Sequence, residues 1–228
     1  MNESMAMQQD PGASAFRMIR TLGLIATFAG LTVVLVYQWT LPLIAENQRV
    51  AIERAVFQVV PGATRRVDFV LGEQGLARAG TEGASGEVVY AAYDDSGELK
   101  GVAVEGAAQG YQDVIRLLYG YEPACHCIRG IKILKMTETP GLGDKIAKDP
   151  DFLANFEALA VKLGAGGGLA EPITTVKHGT KRNPWEIDAI SGATVSSVAV
   201  GKALNASMQR MAPLIERYLA EIRAGGER

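Results

Sequence analysis

Asp188-Ala-Ile-Ser-Gly-Ala-Thr194-Val-Ser-Ser197 stands between two segments of opposite periodicity. Before it, Trp185-Glu-Ile-Asp-Ala-Ile190 alternates apolar and polar residues, the pattern of a strand. After it, Leu204, Met208, Met211, Ile215, Tyr218 and Ile222 recur at intervals of four and three, the stripe of a helix with one buried face. Residues 191–194 therefore form a strand-to-helix turn. Such a turn aims free backbone N–H groups and the positive end of the helix dipole outward, which suits a phosphate. Gly192 allows close approach of the main chain, and Ser191, Thr194, Ser196 and Ser197 supply hydroxyls. The same residues also serve as ordinary helix caps, so both readings stand at this level.

Working outward, the chain of 228 residues has 23 Lys and Arg against 25 Asp and Glu, which lacks the basic surplus of a nucleic-acid binder. Residues 21–45 carry no charge, and these 25 residues are enough to cross a hydrocarbon core of roughly 30 Å. A cleaved signal would have a shorter apolar core and small residues before the cut, and Leu43-Ile44-Ala45 makes a poor cleavage site. The predicted organisation is a polar tail over 1–20, a transmembrane helix over 21–45 and one domain over 46–228. Pro11-Gly12 reads as a break in the tail, and Pro42 as a point where the helix bends on leaving the bilayer. Arg17 and Arg20 before the span balance Arg49 and Arg54 after it, so charge does not orient it.

Beyond the span, a helical stripe through Ile52, Val56 and Val59 ends at Pro61-Gly62. Residues 71–86 contain five glycines and read as an exposed loop. Glu87-Val-Val-Tyr-Ala-Ala-Tyr93 and Leu99-Lys-Gly-Val-Ala-Val104 flank Asp94-Asp-Ser-Gly97, a hairpin signal. Further strands are predicted over 113–119, 128–136 and 173–177. A helix is predicted over 151–163, with Phe152, Phe156, Leu159 and Leu163 on one face. Strands first and helices later is the order of an α+β domain.

A second stretch, Glu138-Thr-Pro-Gly-Leu-Gly143, reads by itself as a Pro-Gly turn followed by a helix cap at Asp144. Together, this stretch, Asp188-x-x-Ser191-Gly192-Ala193-Thr194-x-Ser196, the amino-terminal span and Gly120-Tyr-Glu-Pro123 resemble one family over about residues 21–210. The family is the covalent-FMN G subunit (RnfG) of Rnf ion-translocating electron-transport complexes. The C subunit of the sodium-translocating NADH:quinone reductase is its relative and the alternative, beside a non-redox anchored scaffold.

The resemblance implies a twisted, largely antiparallel sheet flanked by helices, and an FMN carried on Thr194 as a phosphoester. It makes Asp188, Ser191, Gly192, Ala193, Thr194 and Ser196 the recognition sequence of a flavin transferase. It also places Ser191, Gly192, Ala193, Ser196, Glu138, Thr139, Pro140, Gly141, Leu142 and Gly143 near the cofactor. The implied role is electron relay within an oxidoreductase linked to ferredoxin and NAD, among integral-membrane and peripheral partner subunits. No catalytic acid–base residue and no metal ligand is assigned, and independent substrate turnover is not expected. The implied location is the bacterial inner membrane, amino terminus cytoplasmic and domain periplasmic.

Some residues resist this reading. Cys125-His126-Cys127 holds both cysteines and departs from the family pattern. Inert thiols come first, since residues two apart in a strand sit poorly for a bridge; a disulfide across a bend or a metal contact are the alternatives. Lys177, Lys181 and Arg182 form a basic loop around His178, read as a solvated surface or as a balance to flavin charge. Trp185 is read as core or surface before flavin contact.

Overall fold

The structure, a computed structural model, describes residues 11–73 and 75–227. It divides into two compact units between Arg49 and Val50. Helix α1 spans Pro11–Val59. It starts inside the predicted tail, with Pro11 opening the helix rather than breaking the chain. Proline suits the first helical position, where its missing N–H is not needed. Residues 1–10 of that tail lie outside the described residues. Pro42 lies inside α1, which continues through it.

The segment Ala15–Val59 is long and apolar enough to cross a membrane, with a window of mean hydropathy 2.0 that is not buried. Its threonines suit such a medium. Thr21, Thr32 and Thr40 donate to the carbonyls of Arg17, Phe28 and Val36 one turn back, so their hydroxyls need no water.

The second unit is built on seven strands. They are β1 (Arg65–Gly72), β2 (Gly75–Arg78), β3 (Glu87–Tyr93), β4 (Leu99–Gln109), β5 (Val114–Glu122), β6 (Cys127–Lys135) and β7 (Leu159–Ala160). They form one antiparallel sheet in the order β2-β1-β3-β4-β5-β6-β7. A short helix α2 (Pro150–Ala154) precedes β7, and β8 (Thr174–Val176) pairs in parallel with β9 (Glu186–Asp188). Helices α3 (Thr194–Arg217) and α4 (Leu219–Ala224) end the chain, broken at Tyr218. The predicted α+β architecture is the one observed.

The apolar runs of β3 to β5 are near-continuous because both faces of the sheet are covered. Val89, Ala91, Tyr93, Val102, Val104, Leu117 and Tyr119 join Ala203, Leu204, Met208, Met211 and Ile215 of α3 in one core. Alternate residues Tyr90, Ala92, Ala103 and Leu118 point the other way, onto Ala55, Val56, Val59 and Val60. The end of α1 sits on three glycines. Gly120 pairs with Gly130 across β5 and β6; a Cβ on Gly120 would run into Val59 O, one on Gly130 would lie 3.2 Å from Val59 Cα, and one on Gly101 3.0 Å from Val60 Cγ1.

Gly120 thus serves helix docking, while Tyr121 packs in the opposite core. Gly120→Ala should lower stability by about 2–3 kcal/mol in denaturant melts, the range of overpacked cores. Gly166→Ala, where nothing lies within 4 Å of the added carbon, should change little. Equal effects would remove the docking role.

Three further expectations change. The predicted loop over 71–86 contains the end of β1 and all of β2, because Gly72 and Gly75 close a tight hairpin from Leu71↔Leu76 outward. The predicted helix over 151–163 stops after α2. There Asn155, buried, turns its amide onto the backbone of Asp188, donating to its carbonyl at 3.3 Å and accepting from its N–H at 3.0 Å. Leu159 then pairs with Ile128 at the open edge of β6, an energetic gain that a helix cannot supply.

The third change concerns the cysteines. Cys125 and Cys127 are bridged, with Cα atoms 5.2 Å apart. Cys125 lies in the turn after β5, and His126 takes the left-handed conformation at φ 49°, which supplies the bend that a straight strand lacks. With both sulfurs in the bridge, the metal reading keeps only Glu122 beside them among the described residues. A bridge over one residue restrains the unfolded chain by only about 1.5 kcal/mol on loop-closure arithmetic. A left-handed non-glycine residue costs roughly 1–3 kcal/mol. The two effects nearly cancel.

Candidate functional site

The turn that ends β9 leads directly into α3. Gly192 sits at φ +82°, in the left-handed region where a side chain would be strained. Ala193 is the residue before the helix, and no side chain caps it. The ladder begins with Ser197 N–H to Ala193 O at 2.9 Å. The amides of Thr194, Val195 and Ser196 therefore precede the first helical bond, the condition in which a helix end accepts an anion. Ser197 is used internally: its hydroxyl accepts from Ile190 N–H and donates to Ala193 O. Thr194 and Ser191 are exposed, and neither hydroxyl has a hydrogen-bond partner among the described residues. The cap reading of these hydroxyls is not what the fold uses.

The second motif comes to the same place. A cavity of ≈ 460 Å³ is lined by Tyr111, Glu138, Thr139, Leu142, Gly143, Gly192, Ala193, Thr194, Val195 and Ser196. The two motifs touch closely. A Cβ on Gly143 would lie 2.8 Å from Ser196 Oγ, and one on Gly192 would meet Leu142 at 3.8 Å. Glu138 is buried at the centre. Its carboxylate accepts from Tyr111 N–H at 3.0 Å, from Gln112 N–H at 3.2 Å and from the Ser196 hydroxyl. One side chain thus ties the β4–β5 turn and the 138–143 loop to the first turn of α3. Tyr111, Leu142 and Val195 stay exposed around the mouth, an apolar rim over a polar floor.

The loop itself is held by Asp144. Its Oδ1 accepts from Gly141 N–H at 2.7 Å and its Oδ2 pairs with Lys148 at 3.0 Å. The Lys148 bond, followed by the Gly141 amide, holds the Asp144 carboxyl below its ordinary value of 3.8. A depressed carboxyl contributes order above its ordinary value and loses it as pH falls through the lowered one. The Gly141 amide resonance should therefore titrate with Asp144 under acid conditions. A flat Gly141 shift through that titration would show the loop is held by other contacts.

Not every predicted residue reaches the cavity. Ser191 and Asp188 line a neighbouring hollow of ≈ 270 Å³ with Lys145, Asp149, Asp151, Phe152, His178, Ala189 and Ile190. Asp188 is occupied there, accepting from Gly179 N–H at 2.7 Å and facing His178 Nδ1 at 3.5 Å. Pro140 and Gly141 are outside the cavity lining. So are Lys177, Lys181 and Arg182; Lys181 instead binds Asn155 Oδ1 at 3.0 Å. Trp185 is half-buried, also away from the lining. Tyr111, Gln112 and Val195 were missed by sequence reasoning. Gly110 was the available signal, since its added Cβ would fall 2.8 Å from Ile115 Cδ1 and 2.9 Å from Asp113 O, so that the turn must close tightly.

Residues 110–209, which hold both motifs, match the family described as the FMN-binding domain. The G subunit of the ion-translocating oxidoreductase complex of Cereibacter sphaeroides is 32% identical over 205 residues, 89% of this chain and 85% of that one. The G subunit of the Na(+)-translocating ferredoxin:NAD(+) oxidoreductase complex of Acetobacterium woodii is 31% identical over 168 residues, 72% of this chain and 70% of that one. The chain belongs to the G-subunit family of ion-translocating oxidoreductase complexes.

The relatives are named as G subunits of oxidoreductase complexes, and the apolar amino-terminal helix of this chain is long enough to anchor it in a membrane. The chain's cofactor is FMN. The domain of this G subunit has the same fold as NqrC of Shewanella oneidensis, with a TM-score of 0.59 at 18% identity, covering 78% of this chain and 99% of that one. The residues present suit FMN on the structure's own terms. The helix start is uncapped and so can accept an anion, Thr194 opens that helix with an exposed hydroxyl, and Tyr111, Leu142 and Val195 offer apolar surface of the kind a flat aromatic ring packs against.

Proposed function

We propose that this protein carries FMN as a phosphoester on Thr194 and relays electrons between ferredoxin-linked and NAD-linked partners within an Rnf-type complex. The observation that carries the reading is the convergence of Thr194, at the uncapped start of α3, with the 138–143 loop on one cavity. Bound FMN supplies one- and two-electron transfer, which lets it join carriers of both kinds.

The chain supplies position. Thr194 Oγ1 would provide the tether, and the amides of Thr194 to Ser196, free of helical bonds, would hold the phosphate. Tyr111, Leu142 and Val195 bound the ring's space, and Glu138 fixes these three segments relative to one another. In attachment by a flavin transferase, the Thr194 hydroxyl would be the acceptor: its oxygen would bond to the flavin phosphorus as the donor's own bond to that phosphorus broke, and the hydroxyl proton would leave with the departing group. Asp188 supports this step by holding the loop around Gly179 beside the acceptor turn. A tether is useful where lost cofactor could not be replaced, and the exposed rim leaves the ring accessible to partners.

In this reading the domain lies on the periplasmic side of the bacterial inner membrane, with the amino terminus in the cytoplasm. An oxidising compartment on that side suits a Cys125–Cys127 bridge that must reclose after opening. Protease added to intact spheroplasts should degrade the domain; protection would reverse the orientation. The relay itself is tested in the assembled complex. Thr194→Val should abolish ferredoxin-driven NAD reduction while the complex still assembles, because the flavin that would carry the electrons is no longer held. Unchanged activity would favour the scaffold reading. The fold shared with NqrC keeps the quinone-reductase complex as the second reading, and co-purified subunits decide between them.

A further inference from the structure

We propose that the Cys125–Cys127 bridge is a thiol–disulfide exchange site, opened by a dithiol protein or small dithiol and reclosed by exchange with an oxidised disulfide, which takes up the two electrons, separate from the flavin cavity. Its position rules out direct exchange with the cavity. The cavity lies at the Val114 end of β5, beyond Gly110, and the bridge lies past the Glu122 end of the same nine-residue strand. That strand spans about 30 Å. A separate donor of electrons is therefore part of the proposal.

Three observations set this bridge apart from a structural staple. It closes a loop over a single residue, so it adds little restraint to the unfolded chain. It coexists with a left-handed His126, whose cost offsets most of that restraint. And Cys127 is held without it. Cys127 pairs with Glu122 in β5 and with Ala160 in β7, while His126 O accepts from Val161 N–H at 2.9 Å. The bridge can open with the hairpin in place.

Access is one-sided. Cys125 is exposed and Cys127 is buried, so an incoming thiolate meets Cys125 Sγ first. The new bond forms between the dithiol sulfur and Cys125, the Cys125–Cys127 bond breaks, and Cys127 leaves as a thiolate that takes a proton. The second thiol of the donor then attacks the mixed disulfide. Cys125 leaves and is protonated, the donor departs as a disulfide, and two electrons have passed to the bridge. His126 reports the change. Its Nδ1 lies 3.1 Å from the Tyr121 hydroxyl and 3.4 Å from Glu216 near the end of α3, contacts fixed by the turn that the bridge closes.

The test equilibrates the full chain in detergent with a series of reduced and oxidised glutathione mixtures, followed by acid quenching, alkylation and peptide mass spectrometry. Structural disulfides resist the glutathione pool, whereas exchange sites equilibrate with it. The bridge should open within the series and reclose with oxidised glutathione, and the opened protein should keep its melting temperature to within a few degrees. A bridge that stays closed across the series overturns the proposal, as does a cooperative loss of fold on opening. His126→Gly should lower the equilibrium constant for opening by roughly fivefold to tenfold, because glycine adopts this conformation without the side-chain penalty. An unchanged constant overturns the left-handed residue as the reason the bridge opens.

Discussion

Thr194→Val is expected to abolish covalent flavin entirely while leaving the fold intact. The substitution keeps the shape of the side chain and exchanges the hydroxyl for a methyl group, removing the oxygen that would bond to phosphorus. Because that hydroxyl is exposed and has no partner among the described residues, and because no side chain caps α3, little stability depends on it. Denaturant melts of unflavinylated protein should agree with wild type within about 0.5 kcal/mol, the range of surface changes. Flavin fluorescence on a denaturing gel should disappear for the variant. Retained fluorescence would move the tether to another hydroxyl, with Ser191 the first to examine because it is exposed in the same turn.

Glu138→Ala should have the largest effect on stability of any single change at the site. It leaves the N–H groups of Tyr111 and Gln112 and the hydroxyl of Ser196 without their acceptor in a buried place. Leaving such groups unsatisfied costs roughly 1–3 kcal/mol each, and partial access of water brings the total to about 3–5 kcal/mol. Glu138→Gln keeps one acceptor oxygen and should cost about 1–2 kcal/mol. The pair distinguishes hydrogen bonding from mere volume. If both variants melted like wild type, Glu138 would not be the hub that joins the two motifs. If the alanine variant folds but fails to take up flavin, the cavity's shape depends on this carboxylate as argued.

The fold was legible in the sequence where periodicity was strong. The hairpin around Asp94-Asp-Ser-Gly97 falls within β3 and β4, where Asp94 Oδ1 accepts from Ser96 and Glu98 N–H groups and Gly97 takes φ +86°. The stripe from Leu204 to Ile222 proved buried except for Tyr218, where the helix breaks. Legibility failed where tertiary contacts overrode local pattern. Phe152 and Phe156 do pack together, rings 5.2 Å apart, but Asn155 between them is drawn to Asp188 and ends the helix early. The glycines of residues 71–86 looked like a loop because β2 is a short edge strand with little buried surface.

At the site, the two motifs were legible but their junction was not. Nothing in Glu138 alone reveals that its carboxylate reaches Ser196, 58 positions later, or the amides of the β4–β5 turn. Tyr111 and Val195 carry no pattern as flavin neighbours. They become rim residues only when β5 and α3 place them at the same opening. The bridged cysteines show the same limit, since a bend at one residue decided what spacing could not.

The most direct measurement is peptide mass spectrometry of the protein purified from a host with an active flavin transferase. The account predicts an FMN phosphoester on the peptide that contains Thr194, localised to that residue by fragmentation and absent from Thr194→Val. An unmodified Thr194 peptide from protein matured in that host would contradict it.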